Sequence, residues 1–68
     1  MHLDDRAAAM DEFREAIRFR PNYAAAYTNL GELLIEAGQR DEGREALEAA
    51  ARLAPDDQRT RQLLDRSR

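Results

Sequence analysis

The 68-residue chain has no cysteine and no lysine, one histidine, two prolines and three glycines. Without cysteine, neither disulfides nor thiolate metal sites can staple the fold. The one imidazole, His2, lies beside the first methionine, and a lone ligand at a chain end cannot hold zinc. β-Branched side chains are confined to Ile17, Thr28, Ile35 and Thr60, which argues against a sheet. No apolar run approaches the ~18 residues of a membrane span. The N-terminus lacks the charged start, apolar stretch and small-residue cleavage site of a signal peptide. The expectation is a soluble, cytoplasmic protein without a membrane partner. Ser67, the only serine, lies at the tail and has no plausible histidine base. Three scattered glycines do not make a phosphate-binding loop. Neither catalysis nor a cofactor is expected.

What is present is charge and helix-forming residues. The formal net charge is −3, from 14 acidic and 11 basic residues, and every basic residue is arginine. The signs are interspersed, so no basic footprint for nucleic acid exists. Abundant arginine and alanine without lysine point to a GC-rich bacterial coding sequence. At this length, apolar burial at ~25 cal/mol per Å² roughly balances ordering entropy at ~1.5 kcal/mol per residue. Closely packed helices or a neighbouring chain must supply the difference.

Punctuation divides the chain regularly. Pro21 and Pro55 lie 34 residues apart, with Gly38 almost midway. Proline lacks an N–H and disfavours helix in the residue before it, so helices should stop near Arg20 and Ala54. Gly38 can adopt the left-handed conformation that ends a helix. Four helices follow, over roughly residues 5–19, 23–37, 41–53 and 57–66. Asp4, Asp5, Asp41, Glu42, Asp56 and Asp57 fall at helix starts, and Arg18, Arg20 and Arg52 at helix ends, as the helix dipole favours. Asn22 suits the N-cap of the second helix, and Asp56 or Asp57 that of the fourth. At those positions capping explains the paired acids better than metal binding or acid–base chemistry.

Apolar spacing indicates what each helix buries. Ala9, Met10, Phe13, Ala16 and Ile17 form a stripe on the first helix, and Tyr23, Tyr27, Leu30, Leu33, Leu34 and Ala37 a broader one on the second. In the third, Leu47, Ala50 and Leu53 face inward, widened by Ala46, Ala49 and Ala51. The fourth offers Leu63 and Leu64. Short connections should make successive helices antiparallel.

Offset by 34 residues, the chain matches itself: Arg6 with Arg40, Ala16 with Ala50, Arg18 with Arg52, and Pro21 with Pro55. Phe13 meets Leu47, Phe19 meets Leu53, Asp11 meets Glu45, and Asn22 meets Asp56. A 34-residue period of paired helices, with Tyr27, Leu30–Gly31, Leu34, Gly38, Leu47, Ala50 and Pro55 at these spacings, resembles the tetratricopeptide repeat. That resemblance implies an all-α fold of antiparallel helix-turn-helix units, here about four helices of a right-handed solenoid. It divides the chain into residues 1–22, the second helix of a preceding repeat; 23–56, a complete repeat; and 57–68, a C-terminal capping helix. Arg61 stands where the family has a large aromatic, which suits a solvated cap. Gly31 is expected where the repeat's helices cross closely. Gly43 departs from the family's usual alanine and is expected to loosen the third helix by ~1 kcal/mol.

The resemblance also implies a protein-interaction scaffold that takes a peptide or protein on its concave face. By position that face comprises Ala25, Thr28, Asn29, Glu32, Ile35 and Glu36, joined by Arg59, Gln62 and Arg66. Asn29 can both donate to and accept from a peptide backbone. Glu32 and Glu36 weigh against capture of a carboxylate terminus, and the arginines of the last helix read as solvated charges. The alternatives are an adaptor segment of a larger protein, or a structural element that self-associates into a homo-oligomer. In the latter, the first helix would pair through Leu3, Met10 and Phe19.

Overall fold

The computed structural model describes residues 5–67; His2, Leu3 and Asp4 lie outside them. Four helices make up the described chain: α1 (Asp5–Phe19), α2 (Ala24–Glu36), α3 (Arg40–Leu53) and α4 (Gln58–Arg66). Their ends follow from local chemistry. After Phe19 the Arg20 N–H still bonds to the Ala16 carbonyl at 2.8 Å, and Pro21 then has nothing to donate. The Tyr23 N–H closes a turn on the Arg20 carbonyl at 3.0 Å. The same turn recurs 34 residues on, where the Asp57 N–H bonds to the Ala54 carbonyl at 3.1 Å around Pro55. Both place proline second in a four-residue turn, where its preset φ fits.

The end of α2 is of a different kind. Gly38 has φ of 89°, a left-handed conformation that costs glycine little. Its N–H bonds to the Ile35 carbonyl and the Gln39 N–H to the Leu34 carbonyl. That paired closure is a Schellman motif.

One capping expectation is corrected. The N-cap of α2 is Tyr23, with no side-chain hydrogen bond, and not Asn22. Asn22 falls inside the turn, one residue too early. Tyr23 instead lies under the Arg20 guanidinium, 5.1 Å from the ring centre. Tyr23 corresponds to Asp57 in the repeat, and Asp57 does cap α4 by accepting from the Arg59 N–H at 3.1 Å.

Helices α2 and α3 pack most closely, and two glycines make this geometric. A Cβ built on Gly31 would lie 2.7 Å from Leu47 Cγ and 2.9 Å from the Gly43 carbonyl oxygen. One built on Gly43 would lie 2.6 Å from Ile35 Cγ1 and 2.8 Å from the Gly31 oxygen. Since Gly31 meets Leu47 while Ile35 meets Gly43, α2 and α3 run antiparallel. The expectation that Gly43 merely loosens α3 is therefore overturned: the residue is buried where no side chain fits.

Leu30, Leu34 and Ala46 form the core cluster, with Met10, Phe13, Ile17 and Tyr27 packed against it. Met10 thus points inward, not onto a self-association face. Leu47 and Ala50 are fully buried. Three residues assigned inward are not: Tyr23 and Leu53 remain 41% and 42% exposed, and Ala37 is exposed. Each sits in or beyond the terminal turn of its helix, past the reach of the neighbouring element.

The two glycine positions predict opposite causes of the same outcome. Gly43→Ala should lower stability by ~1–3 kcal/mol through overpacking, although helix propensity alone predicts a gain of ~1 kcal/mol. A urea midpoint that rises would refute the close approach. Gly38→Ala meets no atom within 4 Å, yet its left-handed backbone should cost ~1 kcal/mol. An unchanged midpoint there would show that the turn rearranges freely.

Candidate functional site

The candidate face is shared by α2 and α4. Thr28 lies opposite Thr60, while Glu36 lines a crevice with Arg66 and Ser67. Residue numbers therefore rise together, and the two helices run parallel. A chain of hydroxyls joins them. The Thr60 hydroxyl donates to Asp57 Oδ2 at 2.9 Å, and its oxygen lies 2.7 Å from that of Thr28. Each hydroxyl carries one hydrogen. With that of Thr60 directed at the carboxylate, Thr28 is the donor between the two threonines. The Ala24 carbonyl, 3.2 Å from Thr28 Oγ1, shares that hydrogen. Thr28 and Thr60 are only 2% and 0% exposed, and burying hydroxyls is tolerable because they are paired. No buried side-chain nitrogen or oxygen among the described residues lacks a partner.

Above this latch sits an exposed polar cluster. Arg59 reaches from α4 to α2, donating through Nη1 to Asn29 Oδ1 at 3.0 Å and through Nη2 to Glu32 Oε1. A planar guanidinium suits such a fork. Farther along, Ile35 and Leu63 lie in a crevice edged by Glu32, Glu36 and Arg66, with Ser67 at its end. Ser67, the C-cap of α4, donates its hydroxyl to the Leu64 carbonyl at 2.8 Å. Glu36 also lies 3.8 Å from Arg6 of α1, a separation typical of weak surface pairs.

Most of the residues assigned to this face are thus brought together, with two changes. Thr28 is not on the surface: its hydroxyl is turned into the α2–α4 contact. Arg59 is exposed, as expected of a solvated charge, but Asn29 and Glu32 both accept from its guanidinium. Ala25, Glu36, Gln62 and Arg66 are exposed, and Asn29, Glu32 and Ile35 half-buried. Sequence reasoning missed Thr60 and the second role of Asp57. The available signal was a β-branched hydroxyl three residues after a cap, on a helix otherwise built of good helix formers.

The latch predicts an order of effects. Thr60→Val takes the donor from Asp57 Oδ2 and leaves Thr28 only the Ala24 carbonyl, and should cost ~1–3 kcal/mol, whereas Thr28→Val leaves the Thr60–Asp57 bond intact and should cost less. Urea unfolding of both variants and the double variant reads the coupling. Equal losses, or additive ones, would remove Thr60 from the middle of the chain of hydroxyls.

Among the described residues, no group of three or more His, Cys, Asp or Glu could hold a metal ion. No helix among them is long and apolar enough to cross a membrane. Compared with known proteins, residues 1–66 match the family model described as tetratricopeptide repeat. Neither the curated proteins nor the solved structures yield a match. With four helices in the described chain and that match across nearly all of the sequence, the chain belongs to the tetratricopeptide repeat family, whose members generally mediate protein–protein interactions.

Proposed function

We propose that the α2–α4 face is a peptide-binding groove, and that the chain works as an interaction scaffold without catalytic chemistry. In this reading residues 23–56 form the complete repeat, 1–22 the second helix of the preceding one, and 57–68 a cap that also supplies half of the groove. The observation that carries the reading is the convergence of Asn29, Glu32 and Arg59 beside the apolar crevice of Ile35 and Leu63.

Each part has a distinct task. Arg59 occupies Asn29 Oδ1, which turns the amide's N–H₂ into the group offered to a partner's backbone carbonyl. Glu32 neutralises Arg59, so a partner's carboxylate has little to gain there. Glu36, only weakly paired, favours a basic residue at the groove edge. Gln62 and Arg66 complete the rim on α4, and the crevice takes a small apolar side chain between them. The best-fitting ligand is an extended segment carrying one apolar residue next to a basic one.

Selection of peptides from a displayed random library against the 68-residue chain tests this. Enriched sequences should pair an apolar with a basic residue. Asn29→Ala should weaken their binding ~3–10-fold, the value of one hydrogen bond, and Glu32→Lys at least as much, with helicity by circular dichroism unchanged. Peptides that bind both variants as well as the parent would place the site elsewhere.

A further inference from the structure

The largest exposed apolar side chains among the described residues are Phe19 (75% exposed), Leu53 and Tyr23. They end α1, end α3 and cap α2, so antiparallel packing gathers them at the one end of the molecule that carries both proline turns. Phe19 is the most prominent and lies between two arginines. Arg18 is 3.7 Å from Glu15 and largely exposed, while Arg20 stacks on Tyr23 and has no ion pair among the described residues. The result is an aromatic knob flanked by positive charge.

A cleft of ≈ 440 Å³ of opposite character opens between α1 and α3. Tyr27, Leu30, Leu34 and Ala46 make its floor, so it reaches down to the core cluster. Glu42, Glu45 and Glu48 edge it along α3. Arg14 lies 3.9 Å from Glu42, which partly neutralises that glutamate. Glu45 and Glu48 have no ion pair among the described residues and are exposed. Arg52 stands at the far end of the rim. An apolar floor beside two free carboxylates is the complement of an aromatic beside two arginines.

We propose that the cleft receives the Arg18–Phe19–Arg20 corner of a second copy of this chain. Phe19 would enter over Leu30 and Ala46, with Arg18 and Arg20 meeting Glu45 and Glu48. This self-association differs from face-to-face pairing of two first helices. Knob and cleft are different patches on one molecule, so the contact is heterologous and a dimer still keeps one free knob and one free cleft. The inference is independent of the α2–α4 groove.

The test is the average mass by sedimentation equilibrium from about 10 µM to about 1 mM, the range suited to so small a contact. The chain should grow past dimer as concentration rises. The growth should weaken between about 0.05 and about 0.5 M salt, because exposed ion pairs are screened. Phe19→Asp removes the knob, and the double variant Glu45→Lys/Glu48→Lys removes the cleft's charge; both alter exposed side chains. Each alone should stay monomeric, with circular dichroism confirming retained helicity. Mixed in equal amounts, they should form a 1:1 heterodimer and stop there, since one intact knob meets one intact cleft. A wild-type chain that stays monomeric throughout overturns the proposal. So does a cleft variant that still assembles, or a mixture that does not pair, which would favour first-helix pairing. Binding of a separate peptide containing Arg–Phe–Arg to a chain that stays monomeric would assign the cleft to a foreign partner instead.

Discussion

A methyl group on Gly31 would press on the carbonyl of Gly43, and one on Gly43 would press on that of Gly31. This reciprocal backbone contact sets the distance between α2 and α3, the helix against which α4 also packs. The remaining surface of α2 is shared between α1, through Leu30, Leu34 and Tyr27, and α4, through Thr28 and Asn29. Widening the glycine contact would shift both at once. Packed interiors transmit such displacements because they hold few voids to absorb them.

The two sides of α2 use different physics. Toward α1 the contacts are apolar and non-directional, and a cleft is left between α1 and α3 beside Ala46. Toward α4 the contact is polar. The hydroxyls of Thr28 and Thr60, the Asp57 carboxylate and the Arg59 guanidinium require particular distances and directions. A nine-residue helix with two leucines has little apolar area with which to dock. The latch fixes its register, and the same residues that dock it also shape the polar cluster above it.

Much of the architecture was legible because it is local. Pro21, Pro55 and Gly38 act on the backbone of their own neighbours, so helix ends could be read to within a residue or two. Asp57 as a cap belongs to the same class, and the inward stripe of Phe13, Ile17, Leu30 and Leu34 follows from helical periodicity alone. Asn22 was misassigned for a local reason as well: the proline turn is four residues long, which moves the cap to the next position. The candidate face was legible only as a set of positions at repeat spacing.

The remaining features depended on what stands opposite. Helix propensity treats Gly43 as a defect, because it is a property of one helix, whereas the need for glycine arises from the carbonyl of another. Thr28 reads as a surface polar residue until Thr60 is brought within 2.7 Å of it. Tyr23 and Leu53 have inward-pointing periodicity, but no periodicity tells whether a neighbouring element extends far enough to cover a terminal turn. By itself, the sequence determined the helices, their ends and their repeat, since these rest on backbone dihedrals and nearest neighbours. Only the tertiary structure decided which polar groups are buried and which apolar ones are left in water, because each depends on a partner tens of residues away.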